Sequence, residues 1–129
     1  MTPELTVLVL AALLQFVQIA VAAAVMNRDV GVDYNASPRD EKVAFSPLTG
    51  RLRRAVDNHF EALALFTIAV VALGLSGKGG AVTAACAWIY LAARVLYVPA
   101  YAYGWSPWRS LIFGIGAAAT IVMLLAALF

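Results

Sequence analysis

Apolar positions dominate four stretches of this chain, at residues 5–26, 54–75, 81–103 and 107–129. None alternates with a period of two, and each is long enough to be a single helix. A hydrocarbon core of about 30 Å takes about 20 helical residues, so each stretch is predicted to cross a membrane. The first connection, 27–53, is long and polar, whereas "SGKGG" and "GWSPW" are tight. Such turns make the second, third and fourth helices antiparallel neighbours. The pattern predicts an all-α integral membrane fold, a four-transmembrane-helix antiparallel bundle forming one domain over residues 1–129, with no internal repeat. The amino-terminal run has no basic leader and continues to Met26, too long for the apolar part of a signal peptide, so it is read as a retained span.

Composition narrows the class further. Of 129 residues, 64% are hydrophobic and 12% charged, and the mean hydropathy is +0.88. A soluble domain of this size cannot hide so much apolar surface. The net charge of +2 is too small to suggest a nucleic-acid partner. Cys86 is the one cysteine, which excludes an intrachain disulfide and a cysteine-based metal cluster, and His59 is the one histidine. No metal site is expected. Basic residues set the orientation. Arg28, Arg39, Lys42, Arg51, Arg53 and Arg54 cluster in or beside the first connection, Arg109 lies on the same side, and Lys78 alone is on the other. The 27–53 side is therefore expected to be cytoplasmic, with both termini outside.

The polar residues inside the spans pose the chemical question. At about 100° per residue, Arg54, Asn58 and Glu61 share one face of the second span, with Asp57 beside them and His59 pointing away. Tyr90, Arg94, Tyr97 and Tyr101 form a stripe on the third span. Glu61 lies about 10 Å further along the axis than Arg54, and facing lipid there would cost at least a few kcal/mol. The stripes must face each other, another subunit or a ligand. One reading is structural, with Arg54, Arg94 and Glu61 as ion-paired glue and the tyrosines as belt residues. Two features favour a ligand: arginines outnumber acids on these faces, and the tyrosines run inward instead of clustering at one interface. His59 is read as an interfacial side chain, Gln15 and Gln18 as interhelical hydrogen-bonders, "AAAV" and "GIGAAAT" as close-packing surfaces, and Cys86 as a small apolar filler.

Three motifs carry a resemblance. "RAVDNHFE" resembles the R-A-x-x-N-x-x-E motif of the MAPEG family, the membrane-associated proteins of eicosanoid and glutathione metabolism. "ARVLYVPAY" resembles the Arg-x-x-Tyr-x-x-x-Tyr of that family's third helix, and "SPWRS" resembles the turn into its fourth. Order, spacing, length and topology agree over essentially the whole chain. The "NRD" after the first span and the compact length look most like the bacterial branch, similar to microsomal glutathione S-transferase, which implies a bacterial inner membrane.

The resemblance implies a homotrimer that binds glutathione between neighbouring subunits near the cytoplasmic face. By motif position, Arg54, Asn58, Glu61, Arg94, Tyr97 and Tyr101 would bind the ligand, with Arg28 a further candidate. Arg109 and Ser110 match positions associated with thiol activation. The implied activity is that of a glutathione-dependent membrane transferase or peroxidase. Glutathione is then a co-substrate, with its thiol activated against lipophilic electrophiles or hydroperoxides that arrive through the lipid. Ala64 stands where the family often has proline, and Val56 and Asp57 replace polar or basic residues. The alternatives are a non-catalytic, lipid-binding MAPEG-like scaffold and a small multidrug exporter. The exporter would need an embedded acid in the first span, where Glu4 sits only at the edge.

Overall fold

The computed structural model describes residues 1–41 and 43–129. Lys42, one of the basic residues used for orientation, lies outside the described residues. The chain forms α1 (Pro3–Val30), α2 (Val32–Ala36), α3 (Pro47–Ser76), α4 (Ala81–Ala102) and α5 (Trp108–Leu128). All but the five-residue α2 are long and apolar enough to cross a membrane. The four-span, all-α reading is thus the observed fold.

The helix ends follow from local chemistry. Thr2 caps α1 by accepting from the Leu5 amide at 3.2 Å, and Pro3 occupies the first turn, where its missing amide is not needed. At α3, the Ser46 hydroxyl caps the Thr49 amide at 3.2 Å and Pro47 follows. Asp29 at the end of α1 accepts from the Ser46 amide at 3.0 Å, from its hydroxyl at 2.8 Å and from the Thr49 hydroxyl. This clamp extends α3 seven residues ahead of the predicted start at 54. Its polar first turns leave no hydrophobic signal, only the cap. Gly77 closes α3 at φ 68°, a left-handed conformation that glycine adopts without a Cβ penalty.

The packing is not a simple square. α3 and α4 each pack on every other spanning helix, while α1 and α5 do not touch. The helices carrying the polar stripes therefore form the short diagonal of the bundle, flanked by α1 and α5. At their crossing, Phe66 and Tyr90 stack with ring centroids 4.0 Å apart, both fully buried. Gly116 brings α5 onto α4, where an added Cβ would meet the Ala93 Cβ at 3.5 Å. The outer faces stay apolar and uncovered, Phe16, Leu65 and Ile121 among them. Such surfaces are stable only against lipid or another chain.

Gln15 and Gln18 of α1 are buried. Gln15 links helices as expected, donating to the Val56 carbonyl of α3 at 3.1 Å, whereas Gln18 was expected to do the same and instead donates to Gln15 of its own helix at 3.4 Å. Glu4 is buried at the opposite end of the bundle and accepts from the Thr83 hydroxyl at 2.6 Å, tying α1 to the start of α4.

Candidate functional site

A cavity of about 430 Å³ opens between α3, α4 and the first turns of α5. Its lining is Arg54, Asp57, Asn58 and Glu61 from α3, Tyr97 and Tyr101 from α4, and Arg109, Ser110 and Phe113 from α5. The volume falls within the range of about 300–1,000 Å³ usual for small-molecule sites. Helical spacing alone gathers the α3 side chains, because residues four and seven apart lie over successive turns.

Tyr101 organises the mouth. Its hydroxyl accepts from Arg54 Nε at 3.0 Å, and the Arg54 and Arg109 guanidinium carbons lie 5.7 and 4.7 Å from its ring centroid. Arg109 reaches the cavity because α5 begins at Trp108, directly after the tight third turn. The residue capping α5 is Pro107, so Ser110 lines the cavity without serving as the helix cap. The lining holds two arginines against two acids, Asp57 and Glu61. The expected excess of arginines over acids is therefore absent from the lining, because Arg94 stands behind the wall. Balanced charge of both signs suits a zwitterion better than a bare anion.

Arg94 is buried, and its side chain is spread over three partners. Nε donates to His59 Nδ1 at 3.2 Å, one terminal nitrogen donates to Asn58 Oδ1 at 2.9 Å, and the guanidinium lies 4.3 Å from the Tyr97 ring centroid. Among the described residues, neither Arg54 nor Arg94 hydrogen-bonds a carboxylate. Within the chain, then, neither arginine is ion-paired to an acid.

His59 overturns its sequence reading. It is fully buried, not interfacial, with Nε2 2.9 Å from the Ala11 carbonyl of α1. The signal was present: Leu52, Ala55, His59, Phe66 and Leu73 are spaced 3, 4, 7 and 7, the period of the buried face. Phe113 was also missed, because an aromatic residue in an apolar span carries no local mark of a site. Arg28 stands apart. It is exposed in the last turn of α1 and does not line the cavity of its own chain.

A second, apolar slot of about 130 Å³ lies on the other side of Phe113. It is lined by Ala62 and Leu65 of α3, Tyr90 and Arg94 of α4, and Gly116, Ala117, Thr120, Ile121 and Leu124 of α5. The Tyr90 hydroxyl and the remaining Arg94 nitrogen have no partner. Among the described residues, no group of three or more His, Cys, Asp or Glu could hold a metal ion.

A model of the MAPEG family matches residues 4–129, nearly the whole chain, and with it both polar stripes and the turn into α5. The chain belongs to the MAPEG family. A comparison with curated proteins returned no match. Membership accounts for the four membrane spans and ties the chain to a family of glutathione and eicosanoid metabolism. In this MAPEG protein, Arg54, Asn58, Glu61, Tyr97 and Tyr101 line the same cavity, and Arg94 backs its wall.

Proposed function

We propose that this protein is a glutathione-dependent membrane transferase or peroxidase. It binds glutathione in the polar cavity and activates the thiol against lipophilic electrophiles or hydroperoxides. The observation that carries the reading is the convergence of Arg54, Asn58, Glu61, Tyr97, Tyr101 and Arg109 on one cavity of mixed charge. Glutathione carries two carboxylates, one ammonium and one thiol. Arg54 supplies a carboxylate partner through charge-assisted hydrogen bonds, and Glu61 or Asp57 takes the ammonium. Arg109 stands over the Tyr101 ring, where its permanent charge favours thiolate over thiol without itself exchanging a proton. Ser110 would add a hydrogen bond. The apolar slot beyond Phe113 gives the lipophilic partner a lateral route from the membrane.

Arg54, Asp57, Glu61 and Ser110 remain exposed in the single chain. At bilayer depth such groups need a cover that is not lipid. A homotrimer with the cavity closed by a neighbouring subunit meets that need, and Arg28, exposed and away from its own chain's cavity, would act from the neighbour. The same reading puts the 27–53 connection and the cavity mouth on the cytoplasmic side of a bacterial inner membrane. A lipid-binding scaffold would have no use for glutathione. Reduced glutathione should therefore raise the thermal unfolding temperature of the detergent-solubilised protein, by the equivalent of about 2.7 kcal/mol at a hundredfold excess over Kd. An unchanged unfolding temperature at saturating glutathione would sink the transferase reading.

A further inference from the structure

His59 lies outside the proposed glutathione cavity, yet it stands at the head of a chain of hydrogen bonds that ends there. We infer that His59 is a positioning residue: through Arg94, it fixes the side-chain amide of Asn58 as a hydrogen-bond donor toward the cavity, so that this point accepts an oxygen acceptor of the ligand and rejects its ammonium. The inference rests on the proposed function only for the identity of the ligand.

The direction of each bond follows from its chemistry. A backbone carbonyl only accepts, so Nε2 of His59, 2.9 Å from the Ala11 carbonyl, carries the proton. In the neutral ring Nδ1 is then an acceptor. Arg94, which has donors alone, gives Nε to it at 3.2 Å. A terminal nitrogen of the same guanidinium donates to Asn58 Oδ1 at 2.9 Å. With its oxygen engaged by Arg94, Asn58, which lines the cavity, keeps Nδ2 and its two hydrogens to donate to a ligand there. The amide of an asparagine is otherwise ambiguous by half a turn, and Arg94 removes the ambiguity.

Neither link is replaceable from nearby. His59 is fully buried and Arg94 nearly so, so a lost partner leaves a buried polar group unpaired at a cost. The relay also couples α1 to the cavity, because the Ala11 carbonyl sets the tautomer. Protonation of His59 would turn Nδ1 from acceptor to donor against the guanidinium and break the chain. Among the described residues, the ring's hydrogen-bond partners are the Arg94 guanidinium of α4 and the Ala11 carbonyl of α1, while Asp57 and Glu61 on α3 line the cavity instead.

His59 is the single histidine of the chain, so nitrogen-15 labelling of histidine in a protein purified without a histidine tag reports it alone. The expected spectrum at neutral pH is the neutral Nε2–H tautomer, with the Nδ1 resonance shifted when Arg94 is replaced by leucine and the hydrogen bond to Nδ1 is lost. A Nδ1–H tautomer or an imidazolium in the wild type would overturn the relay. Binding of reduced glutathione gives the second readout. His59→Leu should weaken it about tenfold, whereas His59→Asn, whose Oδ1 can stand in for Nδ1, should hold it within a few-fold. Equal affinities of the three proteins would overturn the assignment. If the wild type binds no glutathione, the functional reading fails, and the nitrogen spectrum still decides the relay.

Discussion

Arg109 is the residue on which chemistry, as opposed to binding, would turn. Its guanidinium lies against Tyr101 at the end of the cavity nearest the start of α5. Arg109→Leu should leave glutathione binding largely intact while raising the pKa of the bound thiol and slowing conjugation at neutral pH. Each unit of that rise corresponds to about 1.4 kcal/mol of lost thiolate stabilisation. Thiolate absorbance against pH, with glutathione bound, checks it; coincident titrations of wild type and variant would remove Arg109 from the role. At this scale the sequence was informative where a side chain is costly to place. Spacing put Arg54, Asn58 and Glu61 on one face of α3 and Tyr97 and Tyr101 on one stripe of α4, and the cost of charge in lipid left these faces to meet each other, a subunit or a ligand; their gathering into one site came from the family resemblance. His59 resisted, because its partners are a backbone carbonyl of α1 and an arginine of α4. Neither can be known until three helices are packed together.

The pairing of α4 with α5 depends on a small residue. An alanine Cβ at position 116 would sit in ordinary contact with Ala93, while a longer side chain would have to push the helices apart. Gly116→Ala should therefore leave stability nearly unchanged, and Gly116→Leu should cost about 1–3 kcal/mol of overpacking, read as a lower unfolding temperature in detergent. Equal stability of the two variants would mean that α5 is free to shift at this point. The close-packing role expected of "GIGAAAT" rests on this contact. Helix ends were less legible than helix existence. Hydrophobic periodicity locates only the part of α3 inside the bilayer, while the Ser46, Pro47 and Thr49 cap and its clamp to Asp29 add polar turns that no apolar pattern marks. The five-residue α2 was invisible for the same reason: it is too short to have a period.

The molecule as a whole is a membrane-spanning bundle with chemistry concentrated where α3, α4 and α5 meet. If the excess of arginine in the 27–53 connection sets orientation, a cysteine at Ser37, in a Cys86→Ala background, should react with an impermeant thiol reagent only once the cytoplasmic face is opened. Labelling in intact cells would invert the topology. The fold class was legible because lipid admits few solutions for a chain with four long apolar runs. The diagonal contact of α3 with α4 was not, since loop lengths say which helices are neighbours but not which pair occupies the middle. The claim that most needs testing is that the polar cavity binds glutathione through its arginines. Calorimetric titration of the purified protein with reduced glutathione, wild type beside Arg54→Ala, tests it when oligomer size is measured on the same samples. The expected result is saturable binding, weakened about ten- to a hundredfold by loss of one charge-assisted pair, with the assembly intact. No binding by the wild type, or an unchanged affinity in a variant whose assembly falls apart, would contradict it and leave Arg54 as a residue that only holds subunits together.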